Sequence, residues 1–329
     1  MKLICIEEHA VDLDIAKASL PALLKEAPYM KDWATTRPSV LQAQALGLDL
    51  GEGRLAEMDK QGVTMQVMSY AALPQLAPSD QAVSLTRAAN DRMARACQQH
   101  PERLKGFAIL PWQDVPAAVD ELTHAINELG FNGAFIAGRP GETFLDDPQY
   151  IPVLEKLAEL KAPLYIHPFH PSLQVQQVYY DRLPPQIAAD FSLGGWGWHH
   201  EAGIQVVRLI LAGVFEKLPD LQVISGHWGE MVPFFLRRLE MVLPTEMTGH
   251  SKGIIETYRN NVWVTPSGMY DLPHFEFVHK EVGVDRIIWS TDYPYVSMDG
   301  TLAFLRSLPI SEDDREKLAY RNAATLFRL

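Results

Sequence analysis

Five side chains of types that hold divalent cations or move protons stand at the ends of short apolar runs: Glu7, His9, His167, His227 and Asp292. The first run leads from Leu3 to Ile6 into Glu7-Glu8-His9. The others are Tyr165-Ile166-His167-Pro168, Ser225-Gly226-His227-Trp228-Gly229-Glu230 and Trp289-Ser290-Thr291-Asp292-Tyr293-Pro294. A strand alternates its side chains, so positions 7 and 9 face one way and Glu8 the other. If the runs are strands of one closed parallel sheet, their ends meet on one rim. The two imidazoles and two carboxylates of Glu7, His9, His167 and Asp292 then form a mixed nitrogen and oxygen donor set. Such a set suits Zn²⁺ or Mn²⁺ and not a thiolate-bound metal. Taken singly, each residue has an ordinary structural role: a strand-end histidine is hydrogen-bonded, an Asp before Tyr-Pro closes a turn, and Glu7 pairs with a surface lysine. The joint placement is what points to a metal centre.

Other candidates are weaker. His199 and His200 close the stretch Gly194-Gly195-Trp196-Gly197-Trp198-His199-His200 and either line a pocket or serve the loop; His170 and His274 are similar. Arg237-Arg238 reads as a solvated helix face, with a fork for a substrate carboxylate as the alternative. Cys5 and Cys97 fit no zinc spacing and read as buried thiols of a reducing compartment.

These residues need elements that carry them. Short apolar runs alternate with longer amphipathic ones, the pattern of repeated β-α units and a parallel sheet. Strands are expected at Leu3 to Ile6, Val63 to Met68, Phe107 to Leu110, Gly133 to Ile136, Pro163 to Ile166, Leu221 to Ser225, Val262 to Thr265 and Arg286 to Ser290. Helices are expected at Asp80 to His100 with Ser79 as N-cap, Pro116 to Leu129 with Gly130 at its end, Tyr150 to Leu160, Ile204 to Phe215, Val232 to Leu243 and Ser311 to Phe327. Eight strands with intervening helices predict an α/β fold, a (β/α)8 TIM barrel, as one domain over residues 1–329. Val11 to about Glu52 and Pro168 to about His200 do not fit the minimal repeat. They read as insertions after strands one and five, on the face where barrel enzymes place active-site loops.

Across 329 residues the composition is 47% hydrophobic and 21% charged, enough to bury a large core. The formal net charge of -12 argues against a nucleic-acid partner, which needs a basic footprint. No apolar stretch approaches a membrane span, and the opening apolar run is too short for a signal-peptide core, so a cytoplasmic protein is expected.

The Glu-Glu-His opening, Tyr-Ile-His-Pro, Gly-His-Trp-Gly-Glu and Ser-Thr-Asp-Tyr-Pro, in that order along the chain, resemble the amidohydrolase-superfamily branch that includes aminocarboxymuconate-semialdehyde decarboxylase. Within it the chain looks most like the γ-resorcylate and 2,3-dihydroxybenzoate decarboxylases. Many relatives begin with His-x-His; here Glu7 holds the first position, as in the resorcylate-type enzymes. The resemblance implies one divalent ion on Glu7, His9, His167 and Asp292, a small aromatic carboxylate substrate, and a homodimer or homotetramer. It places His227 beside the substrate with Glu230 as its partner. Arg238 and Tyr293 become candidate substrate-binding residues, Arg238 from within the chain or across a subunit boundary. The implied reaction is non-oxidative decarboxylation of an ortho-hydroxy aromatic acid, with Asp292 protonating the ring carbon. A cation beside Asp292 disfavours the protonated carboxyl that a donor needs, and the sequence leaves that conflict open. A hydrolase of amides or lactones, with Asp292 as base, is the alternative enzyme. A catalytically silent metal-binding barrel is the alternative outside catalysis.

Overall fold

Strands buried on both faces read as near-continuous apolar runs, and the runs of this sequence pair accordingly. In the computed structural model, which describes residues 1–31 and 37–329, seven strands form one parallel sheet in chain order. They are β1 (Ile4–Ala10), β2 (Met65–Tyr70), β3 (Leu104–Ala108), β4 (Gly133–Ala137), β5 (Leu164–His167), β6 (Val223–Ser225) and β7 (Val262–Val264). The sheet curls until its edges share one segment. Ser290 bridges to Ile6 and Ile287 to Val264, both in parallel sense. Ile6 N donates to Trp289 O at 3.0 Å, and Ile288 N donates to Val264 O at 2.9 Å. Residues 287–290, expected as a full strand, therefore touch both edges through isolated bridges.

Helices cover the outside because their apolar residues recur every three or four positions. Helix Ser79–Gln99 buries Ala82, Thr86, Ala89, Asn90, Met93, Ala94 and Cys97 along one stripe. Ser79 is not its cap, as expected from sequence, but its first helical residue, following Pro78. The helix expected over Ser311 to Phe327 is interrupted. Ser311 caps Glu312–Glu316, a π-turn occupies Lys317–Arg321, and Asn322–Phe327 follows. The break lets Asn322 Nδ2 reach Val284 O and Ile287 O, each at 2.8 Å, which ties the chain's end to the shared segment. Among the described residues no helix is long and apolar enough to cross a membrane.

Two long connections lie beyond the C-terminal strand ends. Between β1 and β2 run Leu13–Glu26, Pro38–Gly47 and Glu52–Gln61, and part of the first expected insertion, residues 32–36, lies outside the described residues. Between β5 and β6 run Pro185–Ser192 and Gly197–Leu211. The two connections meet in a small cluster of their own, Ala27 and Met30 against Leu193, with Leu23, Phe169 and Trp198 packed on it.

Arg54 fastens the first connection to the sheet. It is fully buried. Its guanidinium donates to His9 O at 2.6 Å, Gln66 Oε1 at 3.1 Å and Asp49 O at 3.0 Å. Gln66 Nε2 in turn donates to Glu8 Oε2 at 3.0 Å, and Glu8 accepts from Thr291 N at 2.9 Å and Thr291 Oγ1 at 2.6 Å. One buried polar chain thus runs from the connection through β1 to the segment after residue 290. Removing one member of such a network leaves its partners unsatisfied, at about 1–3 kcal/mol each. Arg54→Met is therefore expected to lower the stability of the protein by roughly 2–5 kcal/mol in urea unfolding. Lys60→Met, which removes an exposed pair with Glu57, is expected to cost less than about 1 kcal/mol.

Candidate metal centre

Plain strand alternation does not by itself bring Glu7 and His9 to one mouth. The β1–β2 register slips between Ile6 and Glu8, and Glu7 is the residue left unpaired. Its φ of 61° turns the chain through the left-handed region, a conformation that costs a non-glycine residue on the order of 1 kcal/mol or more. The bulge sends the fully buried Glu7 carboxylate toward β6 and β7. Oε2 accepts from Ser267 Oγ in a short hydrogen bond, and from Thr265 Oγ1 and Ser290 Oγ, both at 3.3 Å. Oε1 has no hydrogen-bond partner.

Three further donors face that oxygen. His9, His167 and Asp292 each offer an atom so that, with Glu7, all four lie within 4.8 Å of one another. His167 Nε2 is 3.6 Å from Glu7 Oε1, and His9 Nε2 is 3.1 Å from Asp292 Oδ1. Both imidazoles are held by their other nitrogen: His167 Nδ1 lies 2.7 Å from Pro168 O, and His9 Nδ1 3.1 Å from Ser69 Oγ. The Pro168 carbonyl can only accept, so it puts the His167 proton on Nδ1 and leaves the Nε2 lone pair aimed into the cluster; the Ser69 hydroxyl is free to accept from His9 Nδ1 in the same way. His9 Nε2, despite its closeness to Asp292, makes no hydrogen bond. Two buried donor atoms without hydrogen bonds, Glu7 Oε1 and His9 Nε2, facing one point is the arrangement a cation completes. The set of two carboxylates and two imidazoles fits a Zn²⁺- or Mn²⁺-type ion. Phe135 stands beneath, its ring 5.4 Å from His167 and 5.7 Å from His9, and Tyr295 flanks His9 at 5.6 Å.

A trio, His199, His227 and Glu230, adjoins these four. After β6 the chain makes a tight turn in which His227, Trp228, Gly229, Glu230 and Met231 all have positive φ, from 46° to 85°. Trp228 N donates to Thr265 O at 2.7 Å, and His227 N to Ser267 Oγ at 2.7 Å, which hold the strained turn against β7. The turn folds Glu230 back under His227: Glu230 Oε1 is 2.7 Å from His227 Nδ1, and Oε2 is 2.7 Å from His199 Nδ1. His227 Nε2 faces Asp292 Oδ2 across 3.9 Å.

Charge balance follows from these contacts. Burial raises the Glu7 carboxyl, only partly opposed by His227 and His9. Burial also holds His167 well below the ordinary histidine range, reinforced by His9, and a neutral ring is the ligand form. His227 goes the other way: burial opposes its charge, but Glu230 and Asp292 outweigh it and keep the ring protonated well above the usual range. Asp292 is buried too, yet the neighbouring imidazoles of His227 and His9 outweigh that burial and push its carboxyl below the ordinary value. Glu230 is likewise held low, its burial outweighed by His227 and His199.

The structure thus brings Glu7, His9, His167 and Asp292 together and sets His227 and Glu230 beside them. Tyr293 is close in sequence but its ring packs over the Arg54 guanidinium at 5.1 Å, and its carbonyl accepts from His9 N at 2.5 Å. Arg238 is exposed on helix Val232–Val242 and takes no part in the cluster, because Val232, Pro233 and Leu236 are the residues that helix turns inward. His274 is also exposed, and His170 pairs with Glu26 at 3.2 Å. Sequence reading missed Ser267, Thr265 and Ser290, which fasten Glu7, and it left His199 open. Small hydroxyl residues give no signal of their own; only the Ser225-to-Glu230 motif, packed against Thr265 and Ser267, hints at them.

A family model described as Amidohydrolase matches residues 45–329. Decarboxylase orsB of Emericella nidulans is 34% identical over 289 residues, 85% of this chain and 86% of that protein. The γ-resorcylate decarboxylase of Polaromonas sp. is 30% identical over 341 aligned positions, 99% of this chain and 98% of that protein. The crystal structure of 5-carboxyvanillate decarboxylase from Novosphingobium aromaticivorans, complexed with manganese and 4-hydroxy-3-methoxy-5-nitrobenzoic acid, superposes with a TM-score of 0.90 at 28% identity, over 100% of this chain and 96% of that one.

Gly226 tests the cradle. Its φ of -72° suits any residue, so only space forbids a side chain there. A Cβ would sit 2.9 Å from Glu7 Oε1, from Ser267 Oγ and from Tyr165 OH alike. Gly226→Ala is expected to displace Glu7 and weaken Zn²⁺ or Mn²⁺ binding by about 10–100-fold in calorimetric titration. An unchanged affinity would mean that Glu7 Oε1 is not a ligand.

Proposed function

The chain belongs to the amidohydrolase family, and from that premise we propose that it removes CO2 non-oxidatively from an ortho-hydroxy aromatic carboxylic acid of the dihydroxybenzoate kind. The observation that carries this reading is the position of Asp292, at once in the four-donor cluster and facing the charged His227 across 3.9 Å. The names of the relatives, decarboxylases of aromatic acids, support it. Glu7, His9, His167 and Asp292 would hold the ion. Bound there, a divalent cation supplies Lewis-acid stabilisation of the substrate's phenolic oxygen and a template for its carboxylate.

The chain's own groups supply the proton steps. Asp292 rests as a carboxylate, so it cannot begin as the donor. The phenolic proton of the bound substrate passes to it, which loads the acid and charges the oxygen ortho to the carboxylate. That oxygen feeds an electron pair into the ring, and the proton on Asp292 forms a C–H bond at the carbon bearing the carboxylate. The C–CO2 bond then breaks, its electron pair restores the aromatic ring, and CO2 leaves. His227, kept protonated by Glu230, holds positive charge beside the reacting oxygen and returns a proton to it from Nε2; solvent restores the imidazolium. This order removes the conflict between a nearby cation and a carboxyl donor, because Asp292 is acidic only after the substrate has protonated it.

The same reading takes residues 287–290 as the eighth stave of a (β/α)8 barrel, the two long connections as insertions over its mouth, and the chain as one domain. It also takes the working form as a homodimer or homotetramer. Arg238, exposed on its own chain, then grips a substrate carboxylate across the boundary between copies.

Metal-loaded protein is expected to release CO2 and the corresponding phenol from 2,6- or 2,3-dihydroxybenzoate, and Asp292→Asn is expected to lower kcat by about 10²–10⁴-fold. Turnover of a lactone or an anilide without any CO2 release would replace this reading with a hydrolase. Arg238→Ala is expected to raise KM about ten-fold or more with kcat little changed, and an unchanged KM would return Arg238 to the solvated surface.

A further inference from the structure

Glu230 has two carboxylate oxygens, and His227 uses only one of them. The other is taken by His199, a residue of the first turn of helix Gly197–Leu211, far from Glu230 in sequence. We propose that His199 is a positioning residue for the proposed decarboxylation: by donating from Nδ1 to Glu230 Oε2, it locks the Glu230 carboxylate in the one orientation that presents Oε1 to His227.

Four observations converge on this role. The Glu230 side chain is fully shielded from solvent, so no bulk water takes the place of a missing donor, and a buried carboxylate with one oxygen bare is costly. The two imidazoles are 4.5 Å apart at 64°, so neither ring can swing without meeting the other. The inner nitrogen's proton is fixed by its partner: Glu230 Oε2 is a carboxylate oxygen that can only accept, so the His199 nitrogen facing it donates. The Trp198 indole N–H, 3.0 Å from His199 Nε2, suits a neutral ring with that proton on Nδ1. Finally, the helix carrying His199 is pressed against the strained turn itself. A Cβ at Gly203 would stand 2.5 Å from Glu230 O, so only glycine permits that approach. Gly203 and His199 lie one helical turn apart and therefore contact the same peptide and side chain.

The Gly194 carbonyl, 3.0 Å from His199 Nε2, adds a second feature. Only a protonated Nε2 donates to that carbonyl, so the neutral ring meets Trp198 and the charged ring meets Gly194, with Nδ1–H kept toward Glu230 in both. The loop with Gly194 and Gly195 that precedes the helix thus leads into a histidine clamp on the site. A ring that served only that loop would need no partner beyond Gly194 and Trp198, yet its inner nitrogen is spent on Glu230.

Two substitutions separate the possibilities. Asparagine places an amide N–H close to where the histidine Nδ1–H stands, and phenylalanine keeps the bulk without any donor. The kinetic arm rests on the decarboxylase reading. With 2,6-dihydroxybenzoate, His199→Phe is expected to lower kcat by about 10–100-fold with KM and bound metal per chain unchanged, and His199→Asn to stay within about three-fold of the parent. The second arm does not depend on any substrate. In protein labelled with ¹⁵N-histidine, the hydrogen-bonded Nδ1–H of His227 is expected as a downfield, slowly exchanging proton in the parent and in His199→Asn, and to be lost by exchange in His199→Phe. If His199→Phe keeps both kcat and that resonance, His199 does not position Glu230 and the proposal falls. If His199→Asn is as impaired as His199→Phe in both arms, the imidazole itself is required and positioning by a single N–H is wrong. If the parent protein decarboxylates nothing while the resonance behaves as expected, the clamp stands and the decarboxylase reading fails.

Discussion

Glu7 is a carboxylate with no solvent exposure whose ion-pair partners among the described residues are histidines alone. Taking such a group out of water costs several kcal/mol unless charge and hydrogen bonds replace the lost hydration. Three hydroxyl donors satisfy one of its oxygens, and the other is left facing His9, His167 and Asp292. The rest of the molecule is arranged around that imbalance. The curled sheet closes so that β1, β5 and the segment after residue 290 bring one donor each or more to the same point. Arg54, Gln66 and Glu8 neutralise and satisfy the reverse side of the same strand without supplying a cation to the cluster itself.

Backbone strain is concentrated where the donors are. Glu7, Asp292 and the run from His227 to Met231 all occupy left-handed conformations, and Ser267, which grips Glu7, does as well. Such conformations persist only where surrounding contacts over-determine them. Here the contacts are Trp228 on Thr265, His227 on Ser267, and the Ile6 and His9 amides on Trp289 and Tyr293. Glu7 lies within β1, where the strain shows as a slip of the β1–β2 ladder, and the other strained residues lie in the loops beyond the strand ends. Rigidity of the scaffold and distortion of the site are two sides of one design.

How much of this was legible in the sequence depends on the range of the interaction. Strands β1 to β7 were readable because full burial forces continuous apolar runs, and the four cluster donors because each ends one of those runs. The bulge at Glu7 was not readable: alternation assigns residues 7 and 9 one face, but their donors meet only through the register slip between Ile6 and Glu8, which depends on how β2 pairs. The Ser79 cap failed because Pro78 already sets the helix entry, and the helix over Ser311 to Phe327 broke because Asn322 has carbonyls to satisfy across the sheet. Arg54, in an unremarkable polar stretch, gives no sign in sequence that it is the most deeply buried cation near the site. The Tyr293 ring lies over Arg54, and Tyr295 is the ring that stands beside His9, a difference set by the fold of the turn and not by residue type.

Ala27, Met30 and Leu193 form a small apolar contact between the two long connections, and Gln176 Nε2 strengthens it by donating to Glu26 O at 2.9 Å. The two connections are consequently one mechanical unit, though more than a hundred residues separate their sequences. Neither can be transplanted alone. A chimaera that borrows the β1–β2 connection from a relative would leave the β5–β6 connection with a mismatched seam, and drift in the residues of one must be answered in the other. Change in either connection is thus open chiefly to pairs of substitutions that keep this seam filled.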